Sequence, residues 1–338
     1  VVTISDVARA AQVSKKTVSR VINNHPDVAD TTRAHVQQVI DQLGYRPSML
    51  ARGLAQGKTN IVGVIIDETA QDVFSYPLYN ETLRGIASVL DANDLDMLVR
   101  FSRDETSYVE LYLQRRVDGL ILLSMPLNDK RLEALLDSDA PCVLTQRVSE
   151  QDTPLAWVDA DFESGGMAAA QHLIELGHRR IAFVISPTTK AYVHFLLRGY
   201  RTILDHHQIA VPDDFVVTSE PYVSVSEAVI AAMMQQPKPP TAFAVSDDMK
   251  AIQLIQLMQG LGHAVPGDVS VIGSDDALIA RYASPPLTTI QQDAYHRGHL
   301  AAEVLVSQLN AGQSRQQHQE LLPTQLIVRG STGPVRSG

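Results

Sequence analysis

From residue 61 onward, short β-rich apolar runs alternate with helical stretches, and this alternation constrains the fold more than any other feature. One set covers 61–66, 95–101, 119–124, 142–145 and 156–159; a second covers 181–186, 215–218, 241–246 and 269–273. Runs that are apolar at every position have no solvent face, so they belong to parallel sheets covered by helices on both sides. Two sets predict an α/β protein with two doubly wound halves facing each other across a cleft. Ligands of such sheets sit beyond the carboxyl ends of the strands. Asp67, Ser124, Gln146, Asp159, Ser186, Ser246, Asp247 and Asp275 are therefore candidates by position alone.

The first 60 residues read differently. Thr3 and Asp6 stand at capping-box spacing, and Ile4, Val7, Ala8 and Ala11 recur at i, i+3, i+4, i+7, which predicts a short amphipathic helix. Ser14 is suited to cap a second helix. There Val18, Val21 and Ile22 face inward and Lys15, Lys16, Thr17, Ser19 and Arg20 face outward. A third helix carries Val36, Val39, Ile40 and Leu43 in period, with Gly44 placed to end it. A basic second helix after a tight turn is the helix-turn-helix arrangement, whose second helix enters the DNA major groove. A solvated basic face is the competing reading. Charge distribution argues against it: residues 1–60 hold 8 Lys/Arg against 4 Asp/Glu, leaving 20 against 34 in the remainder. A basic module on an acidic body fits a chain in which one end meets a polyanion.

Other chemistry finds little support. No apolar run approaches the roughly 20 residues of a membrane-spanning helix, and no apolar signal stretch opens the chain, so a cytoplasmic protein is expected. The single Cys142 sits in an apolar run, which reads as a buried structural thiol with no disulfide or zinc. His206, His207 and His318 lack ligand-spaced partners, so no metal site is expected. Gly260-Leu-Gly-His is not a dinucleotide fingerprint, and no phosphate-binding loop is present. Asp247-Asp248 and Asp275-Asp276 resemble catalytic pairs only superficially, because adjacent side chains at a strand end diverge; hydrogen bonding to ligand hydroxyls is the milder role. Neither a catalytic residue nor a cofactor is expected. Residues 47–60 carry Leu50, Ala51 and Leu54 at helical spacing, but helices this short are marginal alone, leaving a plain linker and a helix formed on binding both open.

Specific motifs then connect the chain to a known family. Thr3-Ile-Ser-Asp-Val-Ala, Val13-Ser-Lys-Lys-Thr-Val-Ser-Arg-Val-Ile-Asn, Thr32-Arg33 and Leu43-Gly-Tyr-Arg-Pro47 are similar to the signature of the lactose/galactose repressor family of bacterial transcription regulators. Arg116-Val-Asp-Gly-Leu, Leu176-Gly-His-Arg-Arg-Ile, Pro239-Pro-Thr-Ala, Val265-Pro-Gly-Asp-Val-Ser-Val-Ile-Gly-Ser-Asp-Asp, Pro286-Leu-Thr-Thr-Ile and Leu326-Ile-Val-Arg-Gly-Ser extend the resemblance along nearly the whole chain.

The resemblance implies a helix-turn-helix headpiece over 1–46 and a hinge helix or linker over 47–60. It also implies a periplasmic-binding-protein-like core, with one subdomain of 61–160 plus 293–322 and another of 161–292 plus 323–332. It assigns DNA contacts to Thr3, Ser14, Lys15, Lys16, Thr17, Ser19, Arg20, Asn23, Arg52 and Leu54. Lys15, Lys16 and Arg20 match base-reading positions, and Leu54 matches a residue that wedges into the minor groove. The effector pocket is carried onto Leu78, Tyr79, Gln146, Lys190, Tyr192, Leu196, Tyr222, Ser246, Asp247 and Asp275.

Several positions depart from the family pattern. Leu196 stands where relatives usually carry a ligand-clamping Arg, Gln146 where Asp is common, Ser246 where Asn is frequent, and Ala29 where a Ser caps the third helix. A lost guanidinium puts the usual hexose mode in question, and Lys190 reads either as a replacement cation or as a solvated rim lysine. No leucine heptad follows Arg329-Gly-Ser-Thr-Gly-Pro, so a homodimer on a palindromic operator is expected rather than a tetramer.

The expectation is a DNA-binding transcriptional regulator, a repressor of a catabolic operon, controlled by a sugar or sugar derivative in the cleft. A nucleoside- or sugar-acid-responsive regulator of the same fold is the alternative. A solute-binding protein and a sugar- or nucleoside-processing enzyme are the readings from other classes.

Overall fold

The computed structural model describes residues 2–22, 25–46, 58–101, 107–150, 153–219, 225–312 and 317–336. The chain divides into two compact units, residues 1–60 and 61–338.

The first unit contains α1 (Ile4–Ala10), α2 (Lys15–Ile22) and α3 (Asp30–Leu43). The Thr3 amide and hydroxyl both donate to the Asp6 carboxylate, at 3.0 and 2.7 Å, and close the first turn of α1. The hydroxyl bond is the main reason the Asp6 carboxyl lies below its ordinary range. Val7, Val18 and Val36, one from each helix, are fully buried at the centre of the bundle, with Ala11, Val21 and Ile40 around them. Leu43, in period with that stripe, is instead 37% exposed. At 14 residues α3 is about twice as long as α1 or α2, and its last turn runs past the apolar surface they offer. Gly44 ends α3 at φ +60°, which lets the Tyr45 amide reach back to the Ile40 carbonyl at 3.1 Å. Ala29, at the N-cap position of α3, supplies no side-chain bond.

The second unit is built on two six-stranded sheets. The strands are β1 (Ile61–Ile66), β2 (Asp96–Phe101), β3 (Gly119–Leu123), β4 (Cys142–Leu144), β5 (Ala156–Ala160), β6 (Ile181–Ile185), β7 (Val216–Thr218), β8 (Ala242–Val245), β9 (Ser270–Asp275), β10 (Thr288–Gln291), β11 (Gln319–Leu322) and β12 (Gln325–Ile327). The first sheet runs β11-β5-β4-β3-β1-β2, all parallel; the second runs β12-β10-β9-β8-β6-β7, parallel except for the β10–β12 pair. Alternate residues of each strand enter cores on opposite faces. Val62, Val64 and Ile66 pack on one side of the first sheet and Ile65 on the other; Ile181, Phe183 and Ile185 oppose Ala182 and Val184 in the second.

Three strands had no apolar run to announce them. β10 carries two threonines and a glutamine, and β11 and β12 lie at sheet edges with Gln319, Glu320 and Gln325 among their few residues. Phe215, expected in a strand, belongs to a 3₁₀ turn (Asp213–Phe215) that buries its ring before β7 begins. Only Pro323 and Thr324 separate β11 in the first sheet from β12 in the second.

Each half is braced by a tightly crossed pair of helices. A Cβ on Gly85 of helix Pro77–Ala92 would lie 2.1 Å from the Tyr295 carbonyl oxygen, and one on Gly298 of helix Ala294–Ala311 would lie 2.2 Å from that of Thr82. In the second half, Gly166 of helix Phe162–Glu175 faces the Leu196 carbonyl, and Gly199 of helix Ala191–His206 faces that of Glu163, at 2.3 and 2.0 Å on the same measure. Backbone meets backbone at both crossings, which only glycine permits.

Candidate functional site

In the first unit, α2 begins where its first turn needs an acceptor. The Thr17 amide donates to Ser14 Oγ at 3.0 Å, and the two hydroxyls lie 2.9 Å apart. Ser14, Lys15 and Lys16 are exposed, and Thr17, Ser19 and Arg20 are half-buried along the same helix. Thr3 is exposed, with its hydroxyl engaged by Asp6. Asn23, Arg52 and Leu54 lie outside the described residues, as does most of 47–60.

In the second unit, the strand ends of the two sheets converge on a cavity of about 270 Å³. The first half contributes Glu68 just past β1, Ser124 past β3, Gln146 past β4 and Asp159 within β5; the second contributes Ser186, Asp247 and Asp275 from the ends of β6, β8 and β9. Tyr76, Tyr79, Phe162 and Tyr192 add aromatic surface, with the Phe162 and Tyr192 rings 5.7 Å apart.

The polar groups form pairs. Buried Glu68 accepts from Ser124 Oγ at 2.9 Å and from Lys190 Nζ, and Tyr79 donates to Ser124 at 3.0 Å. Lys190 is thus the half-buried partner of a buried carboxylate rather than a fully solvated rim residue. Lys250 Nζ donates to Ser186 Oγ at 2.8 Å and to Asp247 at 3.0 Å. Asp275 accepts from Gln292 Nε2 at 2.6 Å and from the Tyr76 hydroxyl, while Arg297 donates to Gln292 Oε1 at 2.8 Å.

Backbone strain marks the same strand end. Asp275 has φ +138° and Asp276 φ +54°, values that side-chain-bearing residues rarely adopt. Their carboxylates hold the turn: Asp276 accepts from Arg329 and, at 3.0 Å, from Gln291. Burial pushes the Asp275 carboxyl well up, reinforced by Asp248 and Asp247 and opposed by the bonds from Tyr76 and Gln292. Asp248 is likewise pushed up to about 7 by burial, against the bonds it accepts from Thr289 Oγ1 and the Ala277 amide. Burial also raises the Tyr76 and Tyr192 hydroxyls, which keeps both as neutral donors, and lowers Arg297 against the pull of Asp159 and Asp275. The Asp247 and Asp248 carboxylates diverge, one toward Lys250 and the other toward Thr289.

Of the pocket residues named from sequence, Leu78, Tyr79, Gln146, Lys190, Tyr192, Asp247 and Asp275 line the cavity. Leu196 does not. It lies one helical turn beyond Tyr192 and packs in the apolar core beside the Gly166 crossing, so it takes no clamping position. Ser246 is turned inward, accepting from the Ser186 amide at 3.0 Å and donating to Asp247 at 3.3 Å. Tyr222 lies outside the described residues. Among strand-end candidates, Asp67 is drawn away from the cavity by Arg131. Sequence reasoning missed Glu68, Tyr76, Lys250, Gln292 and Arg297. Glu68 follows a candidate directly, and Lys250 lies one turn from Asp247. Gln292 and Arg297 follow a strand that no apolar run announced. Gln146 spends its amide on the Met125 carbonyl at 2.5 Å.

Comparison with known proteins gives two family matches: "Bacterial regulatory proteins, lacI family" over residues 3–48 and "Periplasmic binding protein-like domain" over 170–332. Catabolite control protein A of Priestia megaterium is 35% identical over 316 residues, covering 91% of this chain and 93% of that protein. The lac repressor dimer bound to operator and the anti-inducer ONPF is similar in structure, with a TM-score of 0.85, 28% identity and coverage of 98% and 99%. A complex of the transcriptional regulator CelR with cellobiose has a TM-score of 0.74, 29% identity and coverage of 98% and 100%.

Proposed function

Because the chain belongs to the lacI family of bacterial regulatory proteins, we propose that it is a transcriptional repressor whose grip on operator DNA is set by a small carbohydrate-like effector. One observation carries the DNA-binding half: α2 opens on an exposed Ser14-Lys15-Lys16 turn with Arg20 further along the same helix. An N-terminal turn of this kind supplies cationic donors for phosphates and guanine edges. We assign Lys15, Lys16 and Arg20 to that contact, with Thr3, Ser14, Thr17, Ser19, Asn23, Arg52 and Leu54 in supporting roles.

The cavity has the chemistry of a polyol site, with buried carboxylates to accept hydroxyl protons and aromatic faces to cover a sugar ring. Glu68, Asp247 and Asp275 are the acceptors in this reading, and Tyr79, Phe162 and Tyr192 the faces. An effector alters DNA affinity only if it binds the two forms of the core unequally. The relatives bound to operator and to cellobiose support both halves of the reading. We further read the protein as a homodimer on a palindromic site, acting in the cytoplasm, with no bond-breaking step.

The test is selection of duplexes from random DNA by the purified protein, followed by gel-shift titration with cellobiose, D-ribose and other neutral sugars. A palindromic consensus released or tightened by one sugar is the expected result. No sequence preference would overturn the regulator reading; a sequence preference indifferent to every sugar would overturn the effector reading.

A further inference from the structure

Asp275 and Tyr76 come from opposite halves of the core: Tyr76 follows β1 in the first, and Asp275 ends β9 in the second. Their hydrogen bond therefore spans the cleft. Gln292 holds the other oxygen of the same carboxylate, and Arg297, on a helix of the first half, holds Gln292. Both oxygens are thus engaged by protein donors, and the residue is only 5% exposed. A second pair, Glu68 with Lys190, bridges the halves in the same cavity.

A carboxylate offers about four acceptor sites, and the cavity-facing Asp275 already gives one on each oxygen to Gln292 and Tyr76. We propose that Tyr76 is an internal competitor for the effector: its hydroxyl holds Asp275 across the cleft, and a ligand hydroxyl must displace it to reach that carboxylate. The inference rests on the effector reading above for the ligand's identity as a hydroxyl donor. Tyr76 is then a specificity-determining residue. A ligand without a hydroxyl able to replace that of the tyrosine breaks one cross-cleft bond and gains none, whereas a well-placed hydroxyl exchanges like for like. Tyr76 also ties the two halves together, so its contribution to closure can be measured without added ligand.

A backbone bond reports that closure. The Leu127 amide of the first half donates to the Thr189 carbonyl of the second at 2.8 Å. Hydrogen exchange at Leu127 in the full chain therefore measures opening. Tyr76→Phe should accelerate it by up to about tenfold, the worth of one buried hydrogen bond. Tyr295→Phe is the matched control, since Tyr295 donates to Ser88 at 3.1 Å within one half and away from the Leu127 segment; it should leave Leu127 unchanged. Asp275→Asn keeps one acceptor oxygen for the two donors, Tyr76 and Gln292, and should fall between wild type and Tyr76→Phe. Leu127 exchange unchanged in Tyr76→Phe, or equally accelerated in Tyr295→Phe, would overturn the proposal.

The second measurement titrates wild type and Tyr76→Phe with cellobiose and with D-ribose. Binding tightened by about tenfold in the variant supports competition for Asp275, and equal or weaker binding refutes it. If neither sugar binds either protein, the sugar-effector reading fails and Leu127 exchange still decides whether Tyr76 closes the cleft.

Discussion

Arg131 grips Asp67 with both terminal nitrogens, at 3.0 and 2.9 Å, and holds Asp129 with the same guanidinium at 2.7 Å. Both carboxylates are only 7% exposed, and the guanidinium also lies 4.6 Å from the centre of the Tyr108 ring. Removing the cation strands two buried anions. Arg131→Ala should lower the unfolding free energy by about 3 kcal/mol, the low end for a broken buried pair because Arg131 keeps 22% of its surface. Urea denaturation checks this, and Arg131→Lys, which cannot form the forked contact, should recover only part of the loss.

Glycines at two kinds of position should respond very differently to alanine. At Gly85 the added carbon meets the Tyr295 backbone at 2.1 Å, so two helices must separate, and Gly85→Ala should cost about 3 kcal/mol or more. At Gly44 nothing lies within 4 Å, and the whole penalty is the positive φ, about 1–2 kcal/mol. Thermal melts of the two variants should rank accordingly.

His178 should set part of the acid limit of stability. Its ring is buried between Thr241 Oγ1 and Ser270 Oγ, each at 3.0 Å, and burial holds its pKa below the ordinary 6.5. The unfolded chain takes up a proton near 6.5, and the folded one only at lower pH. Stability is therefore intact above 6.5 and falls as pH drops through that value toward the folded pKa. His172, also lowered by burial, acts in the same direction. Urea midpoints at pH 7.5 and 5.5 should differ less in His178→Gln than in wild type, although the variant is less stable at pH 7.5.

Lys15 and Lys16 project into solvent from α2, so truncating them removes charge without opening a core. Each Lys→Ala change should reduce the slope of log affinity against log salt by about 1 if the side chain meets a phosphate. Melting temperatures should stay within a degree or two of wild type. A salt slope that does not move would place both lysines off the DNA.

Asp275→Ala removes the acceptor on which cleft contact and ligand recognition both depend. Operator binding should persist while its response to the effector is lost. Gel shifts with and without the sugar identified by titration measure this directly, and a variant that still responds at wild-type concentrations would remove Asp275 from the site.

The repeated apolar runs disclosed both sheets because strands buried on two faces admit almost no polar residue. β11 and β12 escaped notice for the converse reason, since short strands at a sheet edge tolerate Gln and Glu, while β10, inside its sheet, hid behind two buried threonines; a pattern of four residues has no period. The cavity followed the same divide. Asp247 and Asp275 could be placed because they directly follow recognised strands. Tyr76 and Arg297 could not, since Tyr76 caps the start of helix Pro77–Ala92 and Arg297 lies on helix Ala294–Ala311, two helices placed by the Gly85–Tyr295 crossing, a contact between residues about 200 apart in sequence. Leu196 misled for a local reason. Helix Ala191–His206 brings Tyr192 to the cavity and carries the residue one turn later into the core.

The two-residue passage at Pro323 and Thr324 has a bearing on how such proteins diversify. Each sheet borrows a strand that is encoded far from its other members, so no single crossover between two homologous genes can transplant one sensing lobe whole. A chimera that exchanges ligand preference must be joined at three places, and β11 and β12 must travel with opposite parents. Point substitution around the cavity is the easier route to a new specificity.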